Sequence, residues 1–427
     1  MPKIHLGIVA DDFSGASDVA SFLVEQGVKT YLFNGIPKNG YIEFDENIAI
    51  VIALKTRTEV TSLAVQQSLE AFEWLKNNGA EQLYVKYCST FDSTKEGNIG
   101  PIIDAVFDRY NIPYTIIAPA LPVNGRTVKN GHLYVNGVPL DETHMRHHPL
   151  TPMWDSDLTK LLEPQGKYPS IKVDYQMLEN WSNEEILERI DNFSKEHEHF
   201  YVIPDYMNEE HAKKIVELFG DLDLLTGGSG IMTELGRKYR EETKQYAEKV
   251  KSSTKGKAIV LAGSCSQATL KQVDAFKKSE GKSIKLDPIQ IVNGEKTKEE
   301  IWKEIAESED DAILVYSSDR PENVRKAQEA GTKKVSNYLE QTTAYIASQA
   351  VKNGFTRIIV EGGETSGAVT KELGYDSYII GESIAPGVPV LVPLENPDLR
   401  VILKSGNFGQ EDFFLRAVDI TKEDKVD

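Results

Sequence analysis

The chain has 427 residues, too many for one compact core and suited to two domains of ordinary size. Apolar residues make up 40% and charged residues 27%, a globular composition, and no apolar run reaches the roughly 18 residues of a membrane span. A formal net charge of −18 opposes a nucleic-acid partner, so any anion site must be built locally from helix N-termini, backbone amides and a few placed Lys or Arg.

The N-terminus, Met1-Pro2-Lys3-Ile4-His5, runs straight into a strand-like segment with no signal-peptide core, which predicts a cytoplasmic protein without a membrane partner. Cys88 and Cys265 stand far apart, so neither a disulfide framework nor a zinc-type Cys pair is expected. Strands are predicted at Ile4–Ala10, Ile48–Leu54, Gln82–Ser89, Tyr114–Ala120, Phe200–Pro204 and Leu222–Thr226. In the second half they are predicted at Lys257–Ala262, Ala312–Tyr316, Arg357–Glu361, Val388–Val392 and Arg400–Leu403. These runs are β-branched and nearly continuous, as buried parallel strands are. Helical patterns fall between them, at Gly15–Gln26, Ser62–Asn78, Ile99–Tyr110, Asn183–Lys195, Asn208–Leu218, Ser266–Lys278, Pro321–Gln328 and Val335–Val351.

This alternation predicts an α/β fold of two domains, each with a mainly parallel sheet flanked by helices, and an active site in the cleft between them. The domains are expected at 1–232 and 257–427. A charged helical stretch from Ile231 to about Lys251 and the polar run Ser252–Lys257 form a linker over 233–256. The segment Gly125–Asp155, rich in Gly, Pro, His and Asn, reads as a hairpin-like functional loop or flap.

Ligands of parallel α/β sheets bind beyond the C-terminal strand ends, so the residues after each strand carry the functional reading. After the first come Asp11-Asp12-Phe13-Ser14-Gly15-Ala16. Two adjacent acids there can hold a metal or accept a hydroxyl proton, whereas one would suffice to cap the helix. After the second, Lys55-Thr56-Arg57-Thr58 offers two cations to a carboxylate. After the third, Lys86–Thr94 and Gly97-Asn98-Ile99-Gly100-Pro101 form a long polar turn. In it Asp92 is a candidate base, Lys86 and Ser93 are candidate ligand contacts, and Cys88 reads as packing rather than as a nucleophile. After the fourth, Arg126 could reach an anion or stand in a rigid loop. His144, His147 and His148 lack the metalloprotease spacing with its Glu and read as flap residues.

Three glycine turns follow strands of the second half: Gly263-Ser264-Cys265-Ser266, Gly362-Gly363-Glu364-Thr365-Ser366-Gly367 and Lys404-Ser405-Gly406-Asn407-Phe408-Gly409. Glycine lets backbone amides approach phosphates, and three such turns in one domain suggest a nucleotide crevice. It is not a P-loop: Gly281-Lys282-Ser283 has Phe276 where the upstream glycine belongs. No G-x-G-x-x-G follows a strand, which disfavours a nicotinamide oxidoreductase. The residues thus point to a two-domain α/β enzyme with an anionic substrate in its first half and a nucleotide in its second.

In these motifs, together with Thr226-Gly227-Gly228-Ser229-Gly230 and Ala385-Pro386-Gly387-Val388-Pro389, the chain resembles the four-carbon acid sugar kinase family nearly end to end. Cys88–Thr94, Gly97–Gly100, Gly125-Arg126-Thr127, Pro139–Thr143 and His148–Thr151 resemble its 3-oxo-tetronate kinase branch. The turn Phe13-Ser14 departs from the Leu-Thr of many relatives.

The resemblance implies an N-terminal sugar-acid domain and a C-terminal ATP domain, and transfer of phosphate from ATP to the C4 hydroxyl of 3-oxo-tetronate. D-threonate or D-erythronate 4-kinase is the near alternative, and a non-catalytic sugar-acid and nucleotide sensor the distant one. It implies that Ser264, Gly362, Gly363, Glu364, Thr365 and Gly406 hold ATP and that the partner is a small sugar acid; a homodimer is one possible assembly, which the sequence leaves open. The strand-end reading adds Arg57, with Lys86 or Arg126, for the substrate carboxylate. It also adds Asp11 and Ser93 as substrate contacts, Asp12 or Asp92 to deprotonate the hydroxyl, and Mg²⁺ on the phosphates with Glu364 a candidate ligand.

Overall fold

The computed structural model describes residues 4–38, 48–148, 151–244, 248–279, 281–318, 332–404 and 409–423. The chain divides into two compact units, Met1–Glu248 and Lys249–Asp427.

In the first unit the strands are β1 (Ile4–Ala10), β2 (Lys29–Asn34), β3 (Ile48–Ala53), β4 (Ala80–Lys86), β5 (Tyr114–Ile116), β6 (Arg126–Lys129), β7 (His132–Val135), β8 (Val138–Pro139), β9 (Ser170–Val173), β10 (Phe200–Pro204) and β11 (Leu224–Gly227). Its main sheet runs β11-β4-β1-β3-β2, and every pairing in it is parallel. β1 and β3 are buried throughout, which is why their sequences are continuous apolar runs. The helix Thr61–Asn77 packs hard against this sheet: a Cβ on Gly7 would lie 3.1 Å from both Leu75 Cδ1 and Ala80 Cβ. A smaller parallel sheet runs β5-β10-β9, and an antiparallel ribbon β6-β7-β8 forms the hairpin expected after Gly125.

The sequence reading omits β2 and β9, whose short runs are broken by Lys29 and Thr30 and by Ser170 and Lys172. It also carries the helix after Ile231 too far. That helix spans Met232–Thr243 and stops where Lys244 turns left-handed (φ 53°) and donates its N–H to Arg240 O.

The second unit holds β12 (Lys257–Ala262), β13 (Lys282–Lys285), β14 (Ala312–Tyr316), β15 (Phe355–Glu361), β16 (Ser377–Ala385), β17 (Val388–Pro393) and β18 (Arg400–Lys404), in the order β16-β17-β18-β15-β12-β14-β13. β13 and β16 are also absent from the sequence reading. The strands from β18 to β13 pair in parallel. β17 is antiparallel to both of its neighbours, which corrects its reading as a parallel strand. The cause is the connection: β16 and β17 are joined only by Pro386 and Gly387 (φ 79°), far too short for a parallel crossover. Val260, Leu314, Ile359, Ile402, Phe413 and Phe414 are buried in one cluster of this unit. The helix expected at Pro321–Gln328 lies outside the described residues. No described helix is long and apolar enough to cross a membrane.

Candidate active site

Parallel pairing brings Ala10, Ala53 and Lys86 level at the C-terminal ends of β1, β3 and β4, so the segments that follow meet at one edge. Hydrogen bonds continue beyond the strands, from Asp11 N to Lys86 O (3.1 Å) and from Thr56 N to Asp11 O (3.2 Å). Asp12 caps the helix Phe13–Glu25, its Oδ1 accepting from Gly15 N at 2.6 Å. A Cβ on residue 15 would lie 2.7 Å from that oxygen and 3.2 Å from Lys86 Nζ, so a larger residue there would press on both groups.

Arg57 organises this cluster. Its Nε and Nη2 donate to Asp11 Oδ2 and Oδ1 at 2.8 and 2.9 Å, a bidentate pair. Nη2 also lies 2.9 Å from Asp12 Oδ2, and Nη1 lies 3.8 Å from Asp92 Oδ2. Burial pushes the Asp11 carboxyl above its ordinary value, with Arg57 the strongest opposing influence. Burial alone would lower Arg57, but Asp11 and Asp12 outweigh it and hold its charge in place. The Arg57 donors thus already face three of the chain's own carboxylates.

Lys86 is buried, and its Nζ donates to Tyr87 O at 3.0 Å. Asp92 accepts from Thr90 Oγ1 at 2.6 Å. The Ser93 hydroxyl donates to Gln165 Oε1 at 3.2 Å, so it ties the turn down. Asp11, Arg57, Lys86, Asp92 and Ser93 line one cavity of about 20 Å³. That is room for roughly one water, so a larger ligand must lie on the open side of the cluster. A broader cavity of about 490 Å³ opens between Thr94–Glu96 and flap residues Asp141, Arg146, Met153 and Trp154. Lys95 Nζ stands 4.7 Å from the Trp154 ring centre there.

Arg126 donates from Nη1 to Asn124 O at 2.7 Å. It does not line the small cavity, but its charge acts on Asp18, which the sequence reading missed. Asp18 lies three residues past Gly15, on the same helix face, and accepts from Ser229 Oγ at 2.5 Å. An acid inside the otherwise small and apolar run Ala16–Ala20 was the available signal. Asn98 was missed as well; its Nδ2 donates to Thr56 O (2.7 Å) and Glu59 O (2.8 Å), fixing the turn that carries Arg57.

In the second unit Ala262, Glu361 and Lys404 are level at the ends of β12, β15 and β18. Glu361 Oε2 accepts from Ser264 N at 3.1 Å and Oε1 from Thr269 Oγ1 at 2.6 Å, while Lys404 Nζ lies 3.6 Å from Oε1. Both side chains are 0% exposed; burial raises the Glu361 carboxyl and lowers the Lys404 ammonium. Ser264 directs its N–H to Glu361, and its Oγ accepts from Ser266 N at 3.1 Å.

Two helices start at this strand edge. Ser266 caps Gln267–Lys278, whereas Gly363–Leu373 begins at Gly362 (φ 106°) with no side-chain cap. Its first amides can therefore meet an anion. Thr365 Oγ1 lies against Gly263, where a Cβ would collide with it. Gly363 and Glu364 are exposed, and Glu364 Oε2 accepts weakly from Ser336 Oγ at 3.5 Å. Gly406 lies outside the described residues. Among the described residues no three His, Cys, Asp or Glu side chains gather closely enough to hold a metal ion.

Chemically, the first unit offers carboxylates to a hydroxyl beside the half-buried Arg57 and the buried Lys86, and the second offers a glycine-opened helix start to phosphate. Comparison with known proteins divides the chain similarly. A family model for a sugar-binding N-terminal domain matches residues 6–235, and one for a nucleotide-binding C-terminal domain matches residues 259–414. The 3-oxo-tetronate kinase of Pectobacterium atrosepticum is 41% identical over 97% of this chain and 98% of its own. That of Haemophilus influenzae is 41% identical over 96% and 98%. A Salmonella typhimurium structure, provisionally described as a tRNA synthase, is 39% identical with a TM-score of 0.89 over 97% and 98%.

Proposed function

The chain belongs to the four-carbon acid sugar kinase family, in its 3-oxo-tetronate kinase branch, and on that premise we propose that it transfers the γ-phosphate of ATP to the C4 hydroxyl of 3-oxo-tetronate, giving the 4-phosphate and ADP. The observation that carries the reading is the strand-end cluster of Asp11, Asp12 and Asp92 around Arg57 and beside Lys86. Phosphoryl transfer asks for positioning and charge neutralisation more than for covalent chemistry, and this cluster supports both.

Asp12 orients the C4 hydroxyl and takes its proton, with Asp92 behind it. Arg57 acts through these acids, holding Asp11 and Asp12 in place, so the substrate carboxylate falls to Arg126 and the charge of Lys86. Ser93 holds the turn through Gln165. In the second unit the start of Gly363–Leu373 and the turn at Ser264 receive the triphosphate, and Glu361 fixes that turn. Mg²⁺, when bound, neutralises phosphate charge. A site with one carboxylate, Glu364, and the phosphates themselves suits it, since Mg²⁺ uses one or two carboxylates plus phosphate and water. Use of ATP fits a cytoplasmic placement. The tRNA-synthase description of the Salmonella protein finds little support here, because a net charge of −18 repels a polyanion.

The test is ADP release measured with ATP and a panel of 3-oxo-tetronate, D-threonate and D-erythronate. The highest kcat/KM is expected on 3-oxo-tetronate. A preference for either reduced acid moves the assignment to the sister activity, and no ATP consumption with any of the three removes it.

A further inference from the structure

The three strands that end level in the second unit are tied together by one side chain. Backbone bonds carry the pairing one residue past the strands, from Gly263 N to Glu361 O (3.0 Å) and from Gly362 N to Lys404 O (2.9 Å). There the Glu361 carboxylate takes over. Its Oε2 accepts from Ser264 N at 3.1 Å, its Oε1 accepts from Thr269 Oγ1 at 2.6 Å, and Lys404 Nζ stands 3.6 Å from Oε1. Glu361 also precedes Gly362 directly, where the helix Gly363–Leu373 begins. One carboxylate thus joins the turn at Ser264, the first turn of Gln267–Lys278, the end of β18 and the start of Gly363–Leu373.

A buried ion pair is a costly way to hold a sheet edge. Glu361 and Lys404 are both 0% exposed, so desolvation of two charges opposes the pair. Apolar side chains of similar volume pack such a place at least as well. What the carboxylate adds is direction: it has two acceptor oxygens and no donor, and it fixes the orientation of each N–H or O–H that it takes. Ser264 is the residue so directed. It is half-buried, its N–H is committed to Glu361, and its Oγ accepts from Ser266 N at 3.1 Å. Its own O–H can still donate to a phosphate oxygen.

Resting on the kinase reading above, we infer that Glu361 is the positioning residue of the nucleotide site: by bonding Ser264 N and Thr269 Oγ1 together, it sets the spacing between the Ser264 turn and the helix start at Gly363 that receive the triphosphate. Lys404 balances its charge, so the carboxylate stays ionised and keeps both oxygens as acceptors. Neither side chain touches the nucleotide, since both are fully covered. They act through Ser264 and through the helix start, and their effect falls on ATP rather than on the acid.

Calorimetric titration of the full chain with ADP, which needs no turnover, tests this beside two-substrate kinetics. Glu361→Gln keeps the shape but offers one acceptor oxygen in place of two, so it cannot hold both Ser264 and Thr269. It is expected to weaken ADP and raise KM for ATP by about tenfold each, with KM for 3-oxo-tetronate unchanged. It also leaves Lys404 a buried, unpaired charge and so lowers the melting temperature. The double variant Glu361→Gln with Lys404→Met removes both charges. Its melting temperature should recover toward that of the wild type while ADP stays about tenfold weak. ADP affinity that recovers together with the melting temperature shows a pair that only stabilises the fold, and overturns the proposal. Wild-type ADP affinity in Glu361→Gln does the same. Should Glu361→Gln not fold, Thr269→Val decides: it removes one of the two donors at constant shape and should weaken ADP severalfold, and unaltered ADP binding overturns the proposal. A wild type that binds ADP but phosphorylates none of the three acids sinks the kinase reading and leaves the positioning role standing. Turnover by the wild type with unaltered ADP binding in the variants does the reverse.

Discussion

Asp12 and Asp92 both face Arg57, but access separates them. The Asp12 side chain is 34% exposed and that of Asp92 only 9%, with one Asp92 oxygen already held by Thr90. A hydroxyl arriving from the open side reaches Asp12 first. Asp12→Asn should therefore lower kcat by about 10²-fold and Asp92→Asn by much less, read from steady-state rates on 3-oxo-tetronate. If both variants keep full turnover, neither acid is the base. Cys88 beside them is a poor nucleophile near neutral pH. Burial, with Asp92 adding to it, pushes its thiol up to about 11. The thiolate therefore fades as pH falls below that value and is about 0.1% of the total near pH 8. Iodoacetamide near pH 8 should modify the exposed Cys265 first, and Cys88 labelling should climb roughly tenfold per pH unit toward its raised value. Fast labelling of Cys88 near pH 8 would contradict its raised thiol.

At the scale of elements, each unit has a glycine at a strand end where a Cβ would press on a candidate site residue. Gly15 opens the helix Phe13–Glu25 beneath Asp12 and Lys86, and Gly263 leaves β12 against the Thr365 hydroxyl. Gly15→Ala should press on the Asp12 cap and reduce kcat on the acid by about tenfold while sparing KM for ATP. Gly263→Ala should push Thr365 and the start of Gly363–Leu373 aside and raise KM for ATP by about tenfold, with kcat less affected. Two-substrate kinetics on both variants checks the split. A raised KM for ATP in Gly15→Ala would show that the two turns do not serve separate ligands.

For the molecule as a whole, two kinds of information reached the sequence unequally. β1, β3, β12, β14 and β15 were readable because buried parallel strands are continuous apolar runs, and the acid and glycine turns were readable because they follow those runs directly. β2, β9 and β13 were not, since short strands with polar interruptions do not stand out from loops.

The chain by itself determined the α/β class, the two-part layout, the family and the acids and glycines at the strand tips, because each is written in local composition and spacing. Only the fold decided that Arg57 pairs with Asp11 and Asp12, that Ser93 bonds to Gln165, that Asp18 bonds to Ser229 and that Lys404 lies beside Glu361. Those roles depend on which groups far apart in sequence come within hydrogen-bond reach at a shared sheet edge. Strand order and register set that pairing, and no single stretch of sequence contains it.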